Sequence, residues 1–309
     1  MKNYIQKLNL YHSLVFFLLA NAFSLILDQN KNLIISPIIC LFLIITIGIS
    51  HGSLDHIKGR KLLDVLKIDN IYLFFFAYIL MGLIIISLWL IFPATSLVIF
   101  LLVASYHFGK EDTEFLTDNN LSLNQLLYFL KGLLIIIAPL QFHFVETINV
   151  FKLLFVENEK FYIFLGFIEN NNILPIIFLL SVSSSIFLFI KNFKFINFSI
   201  FLDFFSILIL NYYLSPIIAF TFYFCFLHSI RHSFSLILQI NSKKFKSGLL
   251  VFLKRALPLT VLTATIYLIT LFYLNNSYEL NSAIFKVIFI GLASLTFPHI
   301  LLEYLLKKK

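Results

Sequence analysis

The chain of 309 residues is too apolar and too poor in charge for a soluble protein. Hydrophobic residues make up 60% of it, charged residues 12%, and its mean hydropathy is +0.96, whereas soluble domains carry roughly twice that charged fraction. The net charge of +8 does not indicate a nucleic-acid partner, because the basic residues are scattered at the ends of apolar segments, where membrane topology signals lie.

Apolar runs long enough to cross a hydrocarbon core of ~30 Å, about twenty residues each, recur along the whole chain. The first run continues beyond the small residues at 20–22 that resemble a signal-peptide cleavage site, so we expect it to remain as a helix. Ten spans are predicted, the fourth and eighth of them short: 11–27, 33–50, 71–92, 94–109, 124–142, 172–190, 195–213, 217–232, 257–275 and 283–305. The predicted fold is an all-α, polytopic membrane helix bundle that forms a single domain over residues 1–309.

Lysine and arginine predict the orientation of these spans, because cytoplasmic loops are enriched in both. With a cytoplasmic N-terminus, only Lys31, Lys152, Lys160 and Lys286 fall at external ends, and Lys131 lies within a span. All other basic residues are internal. We therefore expect both termini in the cytoplasm and the protein in the inner (plasma) membrane.

Six of the eight histidines lie in four polar clusters, and the predicted topology places all four clusters on the cytoplasmic side. The clusters are His51-Gly-Ser-Leu-Asp55-His56, Tyr106-His107-Phe-Gly-Lys-Glu111-Asp112, His228-Ser-Ile-Arg231-His232 and Pro298-His299-Ile-Leu-Leu-Glu303. A histidine in hydrocarbon is costly unless it is paired, ligated or lines a cavity. The clusters therefore predict one shared site.

Metal binding is the predicted chemistry of this site. His228 and His232 are four residues apart on a predicted helix, so both rings face one side and can bind one ion. By themselves they could equally be two satisfied histidines at a helix end, but His51 and His107 lie on the same side of the membrane. These four histidines are the predicted ligands. Imidazole ligands suit Fe, Cu, Zn or Ni, and the sequence does not select among these metals.

Other polar residues of the clusters are expected to support the ligands or line the pocket: Asp55, His56, Tyr106, Glu111, His299 and Glu303. A carboxylate can accept the second ring N–H of a ligating histidine, and we expect this of Asp55 and Glu303. Asp112 is expected to be an ordinary solvated helix end. His12 and His143 have no polar cluster around them and are predicted to be interfacial.

Asp203 stands alone in the middle of the seventh predicted span. A carboxylate within the membrane is a candidate functional group. It could instead be protonated and hydrogen-bonded to a serine.

The four clusters resemble, in family order, the motifs of the Brp/Blh family (bacteriorhodopsin-related proteins), integral-membrane β-carotene 15,15′-dioxygenases of rhodopsin-bearing microbes. The matching blocks are His-Gly-x-Leu-Asp-His at 51–56, His-Phe-Gly at 107–109, His-x-x-x-His at 228–232 and Pro-His at 298–299. One departure is Ser50, where relatives often have proline.

The resemblance implies a single transmembrane oxygenase domain that holds non-heme Fe(II) through His51, His107, His228 and His232. It further implies an O2-incorporating oxidoreductase that splits the central 15,15′ double bond of β-carotene into two molecules of all-trans-retinal. The lipid bilayer would be its surroundings, and a microbial rhodopsin could receive the product.

Two alternatives from other classes stay open. A di-iron membrane desaturase or hydroxylase acting on a lipid is also rich in histidine, but it uses adjacent His-His pairs, which this chain lacks. A non-enzymatic metal transporter needs polar residues that continue to the far side of the membrane, where Asp203 and a few Ser, Thr and Asn are the available groups.

Overall fold

The computed structural model of the protein describes residues 2–29, 35–114, 122–241 and 244–307, with the side chains of Lys2, Asn3, His51, Ser122 and Lys307 outside that description. Within these ranges the chain forms fourteen α-helices and no strand, which confirms the predicted all-α class. The helices are α1 (Lys2–Gln29), α2 (Pro37–Leu43), α3 (Asp55–Leu66), α4 (Ile71–Ile91), α5 (Pro93–Glu111), α6 (Ser122–Phe142), α7 (Phe144–Leu153), α8 (Glu159–Asn170), α9 (Ile173–Lys191), α10 (Phe198–Tyr213), α11 (Pro216–Phe222), α12 (Ile230–Ile240), α13 (Phe245–Leu274) and α14 (Leu280–Lys307).

Eight helical segments of the described chain are long and apolar enough to cross a membrane: Tyr4–Gln29, Pro37–Leu66, Ile71–Ile91, Leu123–Phe142, Ile173–Lys191, Phe195–Tyr213, Phe245–Leu274 and Leu280–Leu306. They coincide with eight of the ten predicted spans. The predicted span 94–109 lies in α5, whose last turns are polar, and 217–232 is divided among several short segments. The count of ten and the orientation of the termini therefore stay predictions, and Lys31 lies outside the described residues.

Two helical irregularities bring the first and third histidine clusters together. Ile44–Gly48 is a π-helical segment followed by a 3₁₀ segment, Ile49–Leu54, and a second π-helical segment covers Tyr223–Ser229. π-Helical turns are rare and frequent at functional sites. The two segments pack against each other, and the Ser229 hydroxyl donates to the Gly48 carbonyl at 2.8 Å.

Helices α5 and α6 are in very close contact, and this contact fixes the position of the second cluster. A Cβ atom at Gly109 would overlap the backbone carbonyl of Tyr128, and one at Gly132 would overlap the carbonyl of Ser105. Only glycine allows two backbones to approach so closely. Gly109 follows His107 by two residues, so the glycine of the His-Phe-Gly block sets the depth of His107 in the bundle.

A buried ion pair ties three further helices together near the third cluster. Arg231 of α12 donates to both carboxylate oxygens of Asp203 in α10, at 2.6 and 2.9 Å, and also to the Ser13 hydroxyl of α1 at 2.8 Å. The alternative that Asp203 is bonded to a serine is wrong, because its partner is Arg231, and it is the arginine that contacts the serine. An ion pair of this kind must stay complete, since removal of one partner leaves a buried charge.

Candidate metal centre

Four histidines from four helical segments converge in the interior of the bundle. His107 comes from α5, His228 from the second π-helical segment, His232 from α12 and His299 from α14. Their residues are only 6%, 1%, 8% and 4% exposed, respectively. The ring of His107 lies 5.3 Å from that of His228 and 5.4 Å from that of His299, and the rings of His299 and His232 are 5.8 Å apart, measured between centroids.

His51, the first predicted ligand, lies in the 3₁₀ segment Ile49–Leu54. That segment packs against the π-helical segment of His228. The side chain of His51 lies outside the described part of the chain, so its role as a ligand stays a prediction.

Three of the four rings have a carboxylate beside Nδ1. The pairs are His228 with Asp112 at 3.2 Å, His232 with Glu111 at 3.3 Å and His299 with Asp55 at 2.7 Å. A histidine that binds a metal typically donates its other ring N–H to a carboxylate, which fixes the tautomer and the ring orientation. In each pair Nε2 is the ring nitrogen on the side away from that carboxylate.

The pairing of Asp112 corrects the expectation that it is a solvated helix end, because it is only 4% exposed. Its two carboxylate oxygens accept from Tyr223 Oη at 2.7 Å and contact His228 Nδ1 at 3.2 Å. Burial raises the pKa of Asp112, but the hydrogen bond with His228 and the charge of Arg231 outweigh it and hold that pKa below its usual value. Asp112 is thus a carboxylate that can accept a hydrogen bond from His228 Nδ1. The sequence feature that could have indicated this role is the position of Asp112, one residue after the end of α5.

Asp55 has an equivalent arrangement beside His299. It is 3% exposed, and its carboxylate accepts from Tyr78 Oη at 2.9 Å and contacts His299 Nδ1. Asp55 was expected to orient a ligating histidine, and the one it contacts is His299 from the far end of the chain. Tyr78 and Tyr223 were not distinguished from packing residues by the sequence, because a tyrosine within an apolar run carries no local signal of its partner.

Glu303 lies at the centre of the polar cluster. The donor atoms of His107, His299 and Glu303 lie within 4.8 Å of one another, as do those of Glu111, His232 and Glu303. Bonds of about 2.0–2.2 Å place neighbouring donors on a metal ion roughly 3 Å apart, so shifts of roughly an ångström would bring either set onto one ion. The buried imidazole and carboxylate donors therefore fit a metal, and a set of two histidines and one carboxylate is typical of non-heme Fe(II) oxygenases.

Lys58 adds a positive charge to this cluster. Its ammonium group lies 2.6 Å from Glu303 Oε1 and 3.4 Å from Nε2 of His232. The lysine was predicted only as a topology signal. Its contacts arise because α3 packs against α14.

The other predicted positions lie outside the histidine cluster or at its edge. His56 Nδ1 lies 2.9 Å from the Ser53 carbonyl, and His12 Nε2 lies 2.8 Å from the Phe226 carbonyl. His143 precedes α7 and lies 3.8 Å from Glu146. The backbone contacts of His56 and His12 account for one nitrogen of each ring.

A cavity of about 330 Å³ reaches the cluster from one side. It lies between α4, α5 and α14, and His107, Glu111 and Glu303 form its polar end. Tyr106, expected to line the pocket, is part of its wall and donates to Gln125 at 2.5 Å. Most of the remaining wall is apolar.

Comparisons with known proteins agree with this architecture. Residues 42–307 match the family model described as β-carotene 15,15′-dioxygenase. The β-carotene 15,15′-dioxygenase of the uncultured marine bacterium 66A03 is 29% identical over 277 residues, which cover 85% of this chain and 90% of that protein. No solved structure matches the chain.

Proposed function

The chain belongs to the β-carotene 15,15′-dioxygenase family and is therefore a carotenoid cleavage dioxygenase, and from that premise we propose that it cleaves the central double bond of β-carotene with O2. The C15=C15′ bond and the O–O bond break, and each carbon receives one oxygen atom, which gives two molecules of all-trans-retinal. The atoms and electrons balance without an external reductant.

The proposed cofactor is a non-heme Fe(II) held by buried histidines. The observation that carries this proposal is the convergence of His228, His232 and His299, each with a carboxylate beside Nδ1. We add His299 to the predicted ligands His107, His228 and His232, because its Nδ1 is held by Asp55 and its Nε2 lies 3.8 Å from Glu303. His51 is retained as a proposed ligand on its predicted position in the membrane and on the family resemblance.

Iron bound there would supply the redox chemistry that lets O2 react with the conjugated polyene. The chain's own residues hold the hydrogen on the Nδ1 atoms, so that the rings present Nε2 to a metal. Phe108 packs edge-on against the His228 ring, with centroids 4.7 Å apart, and Phe224 stacks on it at 6.0 Å. These rings keep water away from that side of the centre.

The two alternatives are not favoured. The family match covers residues 42–307, which contain all four histidine clusters. A di-iron enzyme would bind two irons per chain, whereas the proposed centre binds one. A metal transporter would move iron across a vesicle membrane and leave carotene intact.

The proposed location is the inner membrane, with both termini and the metal centre toward the cytoplasm. This arrangement lets an insoluble polyene enter from the lipid phase while metal reaches the histidines from the cytoplasm. A cysteine introduced at Lys244 should react only with reagent added from the cytoplasmic side, and one at Asn276 only from outside. The product could pass to a rhodopsin in the same membrane.

Expression in a carotene-producing bacterium tests the activity. Cells with the wild-type chain should lose their orange colour and accumulate retinal, and the purified protein should contain about one iron per chain. The His228→Ala variant should lose both activity and iron, whereas the His143→Ala variant, altered at a histidine outside the centre, should retain both. Unchanged carotene in cells that contain the folded wild-type protein would refute the proposal.

A further inference from the structure

The cavity between α4, α5 and α14 connects the candidate metal centre with the outer surface of the bundle. At its inner end are His107 and Glu303, both members of one possible metal-binding group. At its outer end are Leu301 and Tyr304 of α14, which are 40% and 58% exposed. Leu301 and Tyr304 belong to a helix long and apolar enough to cross a membrane, so this end of the cavity lies at the exposed face of a candidate membrane-spanning helix.

Most of the wall between these ends is apolar, and Tyr106 and Lys110 of α5 are its polar members. Met81 projects from α4 and Val103 from α5, and Phe297 completes the wall from α14. Next to Met81 the helices α4 and α14 are in close contact, because a Cβ at Gly82 would lie only 3.2 Å from the Ser294 carbonyl oxygen.

The size of the cavity matches part of a carotenoid and not the whole molecule. Sites for small molecules have volumes of about 300–1,000 Å³, and a cavity of about 330 Å³ is at the lower end of that range. β-Carotene has forty carbon atoms in two identical halves, and each half becomes one retinal. A hydrophobic compartment of this size, closed at one end by the candidate metal centre, suits one such half.

We propose that this cavity is the binding site for one half of the carotenoid, with the central double bond beside His107 and Glu303 and the other half outside the cavity. This inference rests on the proposed function and adds the location of the substrate. Because the two halves of β-carotene are identical, either end of the molecule can enter the cavity. The depth of the cavity then determines which double bond lies beside the candidate metal centre. The half-sized product, retinal, fits the same cavity and competes with carotene for it.

Tryptophan at a wall position tests the site without requiring turnover. In the Val103→Trp variant the indole fills part of the cavity, and overpacking of this kind lowers affinity by at least about tenfold. Its matched control is Leu102→Trp, at the neighbouring residue of α5, which is 46% exposed and outside the cavity wall. Met81→Trp fills the cavity from α4 and serves as a second variant in case the first does not fold.

The probes are β-carotene and all-trans-retinal, added to iron-free protein in detergent and followed by visible absorbance. Both should bind at least about tenfold more weakly to Val103→Trp and Met81→Trp than to wild type, with wild-type affinity in Leu102→Trp. Iron uptake should be the same in all four proteins. Wild-type affinity for either probe in both wall variants would overturn the proposal. A wild-type protein that binds carotene here but forms no retinal in cells would refute the proposed function and leave the binding site intact.

Discussion

The carboxylate of Asp112 offers the sharpest test of the candidate metal centre. Asp112→Asn keeps the shape of the side chain and one acceptor oxygen but removes the negative charge beside His228. In the structure Asp112 is 4% exposed, accepts from Tyr223 Oη at 2.7 Å and lies 3.2 Å from His228 Nδ1. Solvent therefore does not screen this contact, and the substitution acts on it directly.

The expected loss follows from the kind of contact that is removed. A carboxylate that holds a ligating imidazole raises the basicity of that ligand, and loss of such a partner typically weakens metal binding about 10–100-fold, or about 1.4–2.7 kcal/mol. Tyr223→Phe removes only one hydroxyl from Asp112 and leaves the charge in place. A net hydrogen bond contributes about 0.5–1.5 kcal/mol, so this variant should lose less affinity than Asp112→Asn.

The assay is an iron titration of chelator-stripped protein in detergent, followed by measurement of retinal formation at saturating iron. Asp112→Asn should need more iron and recover part of its activity when iron is in excess. Asp64→Asn, an exposed carboxylate of α3, is the matched control and should behave as wild type. Wild-type iron affinity in a folded Asp112→Asn protein would refute the role assigned to the Asp112–His228 pair.

Three further predictions concern the centre and the helices that hold it. If His299 is a ligand, His299→Gln should lower the amount of iron per purified chain at least about tenfold. An unchanged iron content would show that His299 does not bind the metal. Gly109→Ala should lower the yield of folded protein in the membrane, because a Cβ atom at this position overlaps a backbone carbonyl. The control Gly166→Ala has open space around it and should not lower the yield. Equal yields of the two variants would contradict the close contact between α5 and α6. Asp203→Asn leaves Arg231 without its buried counter-charge and should lower the free energy of unfolding by about 3–5 kcal/mol, measured as a lower melting temperature in detergent. An unchanged melting temperature would show that the ion pair does not contribute to stability.

The sequence by itself determined the class of the protein and the residue types of its site. Long apolar runs are a local property, because twenty consecutive apolar residues suffice to predict a membrane span wherever they pack. The four histidine clusters were visible for the same reason, since polar residues within apolar runs stand out from their neighbours.

Only the tertiary structure decided which side chains meet. Asp112 and His228 are 116 residues apart in the chain, and Asp55 and His299 are 244 apart. Such pairs depend on how the helices pack and rotate, which hydrophobic patterning does not specify when most faces of a helix are apolar. For the same reason the sequence did not predict that Asp55 contacts His299, expected Asp112 in solvent and did not indicate the cavity between α4, α5 and α14.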